Sequence, residues 1–251
     1  MTTSDDRLLD GRVRLRQPLV GYRAAIDPVL LAAAVPARPG ERVLELGCGV
    51  GAAALCLLTR QPDLAVTGLE LQPTLAALAR HNAEVNGLSA GARIDAALTG
   101  LTVLEGDVAA PPKALGSGYD RVLLNPPFQP SVAEASPLAS KDLANREGGT
   151  PLTVWLGLGL RRLKQGGTLT LIHRSERLSA ALTTLEGQAG DLRVLPLWPQ
   201  AGKPAKRILI QATRGSRAGT TLLPGLALHG ADGGFTAEAD AVLRGAVKLL
   251  L

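Results

Sequence analysis

Aromatic residues are scarce in this sequence, at 2% of its 251 residues, so its core must be built from Leu, Val and Ala. The two cysteines, Cys48 and Cys56, lie in one short segment, which argues against a disulfide framework and for reduced thiols. No apolar run approaches the roughly 20 residues that a membrane-spanning helix needs. The opening segment lacks the apolar stretch of a secretory signal. We therefore expect a cytoplasmic protein without a membrane partner.

The composition indicates a folded globular chain, because apolar residues make up 46% of it and charged residues 20%. Basic side chains outnumber acidic ones by 27 to 22, which gives a formal net charge of +5. This excess is compatible with a polyanionic partner and does not by itself demonstrate one.

Apolar runs alternate with helical patterns along the chain. Seven runs read as strands: residues 42–46, 64–70, 101–107, 119–125, 166–174, 191–198 and 206–214. The last two are separated by a short polar loop without a helix, so they predict an antiparallel hairpin at a sheet edge. The sequence thus predicts an α/β fold with a seven-stranded, mostly parallel sheet, an antiparallel C-terminal hairpin and helices on both faces.

A glycine loop follows the first of these strands, in the segment VLELGCGVG at residues 43–51. Gly47, Gly49 and Gly51 permit tight turns and let a ligand approach the backbone closely. Glu70 ends the next strand, where an acidic side chain can accept hydrogen bonds from two ribose hydroxyls. This combination predicts a nucleoside cofactor.

Three features favour S-adenosylmethionine over a dinucleotide. The glycine spacing is G-x-G-x-G, Glu45 stands where it would repel a pyrophosphate but attract an ammonium group, and Asp107 ends a third strand as an acceptor for an adenine amine. The alternative is that these acids are merely exposed strand-end residues. The residues assigned to the cofactor from this pattern are Glu45, Gly47, Cys48, Gly49, Gly51, Glu70, Leu71, Asp107, Val108 and Asn125.

The segment Asn125-Pro126-Pro127-Phe128 closes the fourth strand. Methylation of an amine conjugated to a ring needs acceptors for its two N–H bonds, because these localise the lone pair and stabilise the developing positive charge. The Asn125 side-chain oxygen and the Pro126 carbonyl can serve, Pro127 makes the backbone rigid, and Phe128 can stack on a flat substrate. These four residues are our candidate catalytic set, and no general base is required.

This segment resembles the (N/D)-P-P-(Y/F/W) motif of amino-methyltransferases with a Rossmann-like fold, over roughly residues 40–214. The front of the chain, with its pattern G-Y-R-x-x-x-D-x-x-L-L, is similar to the bacterial tRNA1(Val) adenine-N6 methyltransferase family. That resemblance implies that residues 1–40 form a cap over the site, with Tyr22 and Asp27 near the methionine end of the cofactor. It also implies a core at residues 41–214 and a C-terminal extension, residues 215–251, packed on that core.

The family acts on an adenine next to the anticodon, so the resemblance implies a tRNA substrate. We expect a monomer or a homodimer without a metal. Phe128 replaces the commoner Tyr and also occurs in guanine-N2 rRNA methyltransferases, which usually carry a second domain. A protein glutamine-N5 methyltransferase uses the same Asn-Pro-Pro motif on an amide but normally has a larger N-terminal domain. A catalytically silent RNA-binding module is the alternative outside enzymes.

An RNA substrate needs basic side chains around the site for its backbone. The candidates are Lys141, Arg146, Lys203, Lys206 and Arg207. The alternative for each is that it lies on a solvent-exposed face, or on an edge strand where its charge prevents pairing with another chain.

Overall fold

The computed structural model describes residues 2–21, 23–91, 99–127 and 150–251. It begins with an antiparallel pair of strands, β1 (Thr3–Leu8) and β2 (Val13–Pro18). Val13 and Leu15 are buried on one face of β2 and join the core that also contains the first three helices. The sequence pattern does not predict this pair, because the β1 segment TSDDRL is polar.

Strands and helices then alternate along the chain. In order, the elements are α1 (Asp27–Ala34), β3 (Arg42–Leu46), α2 (Ala52–Arg60), β4 (Ala65–Glu70), α3 (Pro73–Val85), β5 (Gly100–Glu105), β6 (Tyr119–Leu124), α4 (Leu152–Arg162), β7 (Leu163–Arg174), α5 (Leu178–Leu185), β8 (Ala189–Gln200), β9 (Arg207–Arg214), β10 (Thr220–Leu222), β11 (Leu226–His229) and α6 (Ala237–Leu243). The last helix begins where the Thr236 hydroxyl accepts a hydrogen bond of 3.1 Å from the Ala239 N–H, as an N-cap residue does.

The main sheet has the strand order β10-β8-β9-β7-β6-β3-β4-β5, with β11 also paired to β8. Strands β3 to β7 pair in parallel, whereas β9 is antiparallel to both of its neighbours, β7 and β8. The chain runs outward from β3 to β5 and then returns to β6 on the other side of β3. This reversal opens a crevice at the carboxyl ends of β3 and β6, where α/β proteins bind their ligands.

Helices cover both faces of the sheet, because successive strand side chains point to opposite sides. Val43 of β3 packs in one core with α1, α2 and α3. Leu44 and Leu46 pack in the other core, with α4 and α5. The carboxyl-terminal residues of β3 and β6, Val43–Leu46 and Val122–Leu124, are buried and therefore hold the residues that follow them on a rigid base.

The predicted α/β class, the mostly parallel sheet, the helices on both faces and the antiparallel pairing of β8 with β9 are confirmed. All seven predicted strands are present, but the described residues place nine strands in this sheet. The expected edge position of the hairpin is wrong, since β10 and β11 pair with β8 on the side away from β9. The short strands β10 and β11 both pair in parallel with β8, and β10 is exposed throughout, so it has no burial pattern to reveal it. The division of the chain at residues 40 and 214 stays a prediction.

Candidate active site

The crevice at the carboxyl edge of the sheet brings the predicted site residues together. Leu46 at the end of β3 pairs with Leu69 on one side and with Leu124 on the other. Glu70 and Asn125 therefore flank the loop that follows β3. Glu70 and Asn125 lie at the same height along the sheet because β4, β3 and β6 pair in parallel.

The loop after β3 is held tightly against its neighbours. Gly47, Gly49 and Gly51 have φ angles of +70°, +55° and +84°, a region that favours glycine. The Gly47 N–H donates to the Leu69 carbonyl at 2.8 Å. A Cβ atom at Gly47 would lie 2.9 Å from the Trp155 ring, so the indole occupies the space that any larger residue would need. Both the backbone angles and this contact require glycine at position 47.

The Cys48 thiol packs on the sheet. A Cβ atom at Gly68 of β4 would lie 2.7 Å from the Cys48 sulfur, so the two residues fit together only because Gly68 lacks a side chain. Burial raises the pKa of the Cys48 thiol well above its ordinary value, so the thiol is neutral. Cys48 can therefore contribute to ligand binding through its backbone rather than through a thiolate.

Two of the predicted acids are buried. Glu45 is 4% exposed and accepts a hydrogen bond of 2.9 Å from the Ala54 N–H at the start of α2. Glu70 is 6% exposed, and its two oxygens accept hydrogen bonds of 2.8 Å each from the Gly49 and Gln72 N–H groups. Burial raises the pKa of Glu45 to about 8, with a smaller contribution from the nearby Glu70, and burial also raises the pKa of Glu70. The alternative of exposed strand-end residues is therefore wrong for both.

The other acid of the pattern follows β5. Asp107 is half-buried, and its Oδ1 accepts a hydrogen bond of 2.8 Å from the Ala109 N–H. Val108 beside it is buried, whereas Leu71, which follows β4, is 48% exposed.

Asn125 lies at the boundary between two cavities. The smaller one reaches Glu45 and Gly47 beside the glycine loop. The larger one, of about 600 Å³, opens toward Arg207 and His229. Asn125 lines both, so its amide separates a compartment at the glycine loop from a wider compartment that can admit a second molecule.

Several known proteins to which this chain is similar are methyltransferases. Residues 24–146 match the family described as methyltransferase small domain. The chain is 28% identical over 225 residues to the tRNA1(Val) (adenine(37)-N6)-methyltransferase of Yersinia pestis strain Pestoides F, covering 86% of this chain and 83% of that protein. A predicted O-methyltransferase from Agrobacterium tumefaciens superposes with a TM-score of 0.72 and 25% identity, over 90% of this chain and 99% of that chain. The chain is an S-adenosylmethionine-dependent methyltransferase.

The fold of this methyltransferase is shared more widely. An S-adenosylmethionine-dependent O-methyltransferase from Thermotoga maritima superposes with a TM-score of 0.53 at 16% identity, over 79% of this chain and 68% of that chain. At that identity the likeness concerns the fold alone.

The crevice of this methyltransferase fits S-adenosylmethionine. Glu45 lies on β3, Glu70 ends β4 and Asp107 follows β5, so the three carboxyl groups come from three adjacent strands and the loop after them. Such a set suits a ligand with an ammonium group, ribose hydroxyls and an adenine amine, and it would repel a pyrophosphate.

The wall of the larger cavity contains an ion pair between distant parts of the chain. Arg207 Nε lies 3.0 Å from Asp27 Oδ2, and both side chains are largely buried. The ion pair joins Asp27, at the start of α1, to Arg207, at the start of β9. The role of Asp27 at the methionine end of the cofactor stays a prediction. Lys206 is exposed and lines the same cavity, whereas Lys203 is exposed on the preceding loop. Contacts of Lys203, Lys206 and Arg207 with RNA also stay predictions.

Four of the predicted site residues lie outside the described residues: Tyr22, Phe128, Lys141 and Arg146.

Sequence reasoning missed one wall of the larger cavity, which the C-terminal segment supplies. His229 of β11 lines this cavity, and its ring stacks on Phe235 with centroids 4.8 Å apart and an interplanar angle of 21°. Only the pairing of β11 with β8 brings His229 near Asn125, so no local pattern in the sequence could have indicated it.

Metal-ligand groups and membrane-spanning helices are both absent from the described residues. Among them, no group of three or more His, Cys, Asp or Glu side chains is arranged to hold a metal ion. Nor does that part of the chain contain a helix long and apolar enough to cross a membrane.

Proposed function

We propose that this methyltransferase methylates the exocyclic N6 amine of an adenine in the anticodon region of a tRNA. The observation that carries the proposal is the position of Asn125, at the opening between the compartment at the glycine loop and the 600 Å³ cavity. The name of the Yersinia pestis relative supports adenine in tRNA as the acceptor.

The residues that bind the cofactor come from the ends of three strands, and each contacts a different part of the ligand. Glu70 accepts from the ribose hydroxyls, Asp107 accepts from the adenine amine, and the Glu45 carboxyl faces the ammonium group. Leu71 and Val108 border the adenine ring, and the backbone of the loop from Gly47 to Gly51 lies along the ligand. When bound, S-adenosylmethionine supplies a methyl group on a sulfonium, which is an electrophile that needs no further activation.

The acceptor amine is held by the Asn-Pro-Pro segment. The Asn125 side-chain oxygen and the Pro126 carbonyl each accept one N–H of the amine, so its lone pair points toward the glycine-loop compartment. Both oxygens then stabilise the positive charge that grows on nitrogen during the displacement. The methylated ammonium is strongly acidic and loses its proton to water, so no side chain must act as a base. Pro127 keeps the backbone rigid, and Phe128 stacks on the base.

The RNA must present one nucleotide outside its stack. A cavity of about 600 Å³ has room for an extruded base, and the cost of extrusion is smallest in a single-stranded loop. Lys203, Lys206 and Arg207 border this cavity or its approach, and with Lys141 and Arg146 they bind the phosphates of the neighbouring nucleotides. We place this reaction in the cytoplasm, where tRNA is modified.

Guanine is the second candidate base, because Phe128 stands where the adenine enzymes most often have Tyr. A guanine N2 amine presents the same two N–H bonds to Asn125 and Pro126. The protein glutamine amide is the third candidate acceptor.

The test is incubation of the protein with labelled S-adenosylmethionine and total bacterial RNA lacking methylation, followed by nucleoside mass spectrometry of the separated tRNA and rRNA. We expect N6-methyladenosine in the tRNA fraction. N2-methylguanosine in rRNA would replace the proposal with the guanine reaction. Label found only in protein glutamine would refute an RNA substrate altogether.

A further inference from the structure

Asn82 of α3 joins the glycine loop to the N-terminal strand β2. Its side chain is fully buried. Its Oδ1 accepts a hydrogen bond of 2.8 Å from the Arg16 N–H, and its Nδ2 donates to the Arg16 carbonyl at 2.9 Å and to the Val50 carbonyl at 3.0 Å. One N–H and two carbonyl groups thus surround the amide, which fixes the positions of its oxygen and its nitrogen. Both amide hydrogens are used, one on β2 and one on the glycine loop.

Asn86, four residues later, contacts β2 in the same way. Its Oδ1 accepts from the Arg14 N–H at 2.9 Å, and its Nδ2 donates to the Arg14 carbonyl at 2.7 Å. Four residues advance a helix by about 6 Å and two residues advance a strand by about 6.6 Å, so the two amides match alternate residues of β2. The second Nδ2 hydrogen of Asn86 goes to the Asn82 carbonyl at 2.7 Å. Asn86 therefore binds β2 without reaching the glycine loop.

The residue after Arg16 links β2 to a second segment. Gln17 is 3% exposed. Its Oε1 accepts from the Ala24 N–H at 2.8 Å, and its Nε2 donates to the Ala24 carbonyl at 3.4 Å and to Asp6 Oδ2 at 3.0 Å. Ala24 and Val50 both line the smaller cavity at the glycine loop. Strand β2 is therefore connected by two buried amides to two walls of the same compartment.

We propose that Asn82 and Gln17 are positioning residues that hold two walls of this compartment in place and thereby set the affinity for S-adenosylmethionine. Asn82 holds the wall at Val50. Gln17 holds the wall at Ala24, and β2 connects the two amides. A compartment whose walls are already in place loses less conformational freedom when its ligand binds, so it binds that ligand more tightly. This inference rests on the placement of the cofactor at the glycine loop in the proposed function, and it holds for any acceptor.

A matched pair of variants tests the link between β2 and the glycine loop. Asn82→Ala and Asn86→Ala each remove two hydrogen bonds to the backbone of β2, but only Asn82→Ala releases the Val50 carbonyl. We expect Asn82→Ala to raise the Kd for S-adenosylmethionine by about 10-fold and Asn86→Ala to keep it within about twofold. The Kd is measured by calorimetry without RNA, at a temperature at which circular dichroism shows both variants folded. With saturating cofactor, the kcat of Asn82→Ala should stay within about threefold of the natural value, because the reacting groups are unchanged.

Gln17→Leu tests the same arrangement from its other end, and it decides the question if Asn82→Ala does not fold. Leucine fills a similar volume but releases Ala24, so the Kd should again rise by about 10-fold. In the double variant of Asn82→Ala and Gln17→Leu, the Kd should rise little beyond that of the weaker-binding single variant. The reason is that the two walls are connected through β2 and lose their spacing once either link is removed.

Equal Kd values for Asn82→Ala and Asn86→Ala would overturn the role of Asn82, and an unchanged Kd in Gln17→Leu would overturn that of Gln17. Effects that multiply in the double variant would refute the connection through β2. The proposed function is tested separately, since the Kd is measured without RNA. A natural protein that binds S-adenosylmethionine but methylates no tRNA would refute the proposed acceptor and leave these outcomes decisive.

Discussion

At the scale of single residues, Glu45 is the least ordinary group in the site. A carboxyl that is 4% exposed, with one backbone hydrogen bond and a second buried carboxyl nearby, is difficult to ionise. It therefore holds its proton near neutral pH in the protein without ligand. An ammonium group beside it would favour ionisation, so the residue suits a cationic ligand better than an empty crevice.

The raised pKa of Glu45 predicts a pH-dependent stability. Between the ordinary value of 4.5 and about 8, the unfolded chain has lost this proton while the folded chain keeps it. The free energy of unfolding therefore falls as the pH rises through that range. In Glu45→Gln this contribution is absent, so the melting temperature of the variant relative to the natural protein should increase from about pH 5 to about pH 8. The exposed Glu84→Gln is the matched control, and a constant difference for Glu45→Gln would mean that Glu45 is already ionised when folded.

Much of the site follows from local sequence, because strand-end residues follow their strands. Gly47, Glu70 and Asn125 come directly after buried apolar runs, and parallel strands deliver such residues to one edge. The position of His229 on the same cavity as Asn125 depends instead on the pairing of β11 with β8, which no local pattern specifies. The burial of Glu45 and Glu70 likewise depends on how the loop folds back, and sequence alone could not distinguish a buried acid from an exposed one.

At the scale of elements, the C-terminal strands change the shape of the site. Strands β10 and β11 extend the sheet beyond β8, and β11 carries His229 into the wall of the larger cavity. Residues 221–230 are interpreted from the sequence as a short strand pair, but the sequence does not indicate that β10 and β11 both pair in parallel with β8. The N-terminal pair of β1 and β2 was equally hidden, because its first strand is polar. Such short strands at the edge of a sheet form only by pairing with other strands, so their own sequence carries little signal.

The position of His229 predicts a role in substrate binding. Stacking of a base on an aromatic side chain contributes about 1–3 kcal/mol, so His229→Ala should raise the KM for tRNA by about 10-fold. The Kd for S-adenosylmethionine should not change, because His229 does not line the compartment at the glycine loop. His81→Ala, on the outer helix α3, is the matched control. An unchanged KM for tRNA in His229→Ala would remove the C-terminal segment from the substrate site.

At the scale of the whole molecule, the net charge of +5 is small, and much of the basic charge is already paired. Arg16 pairs with Asp5 and Arg121 pairs with Glu41, so fewer basic side chains are available to bind RNA than their total number suggests. Lys203 and Lys206 are exposed on the loop that leads to the larger cavity. Binding of RNA should therefore depend on a few local cations rather than on the overall charge.

Salt dependence measures how many of these cations contact phosphate. Replacing Lys203 and Lys206 together by Ala should reduce the slope of log Kd for tRNA against log salt concentration by about 1 to 2, since each phosphate contact contributes about 0.7–0.9. Lys248→Ala, exposed and outside the cavity, should leave the slope unchanged. Equal slopes for the natural protein and the double variant would place the RNA elsewhere on the surface.

We propose that the Asn125 amide, which borders both cavities, holds the acceptor amine during methyl transfer. The most direct measurement is single-turnover methylation of unmethylated tRNA by Asn125→Ala, with the Kd for S-adenosylmethionine determined on the same preparation. We predict a rate at least about 100-fold lower with cofactor affinity retained within a few-fold, because the variant loses a transition-state acceptor. Asn86→Ala, which removes an equivalent amide far from the site, should methylate normally. Lost cofactor binding with an unchanged methylation rate in Asn125→Ala would contradict the account.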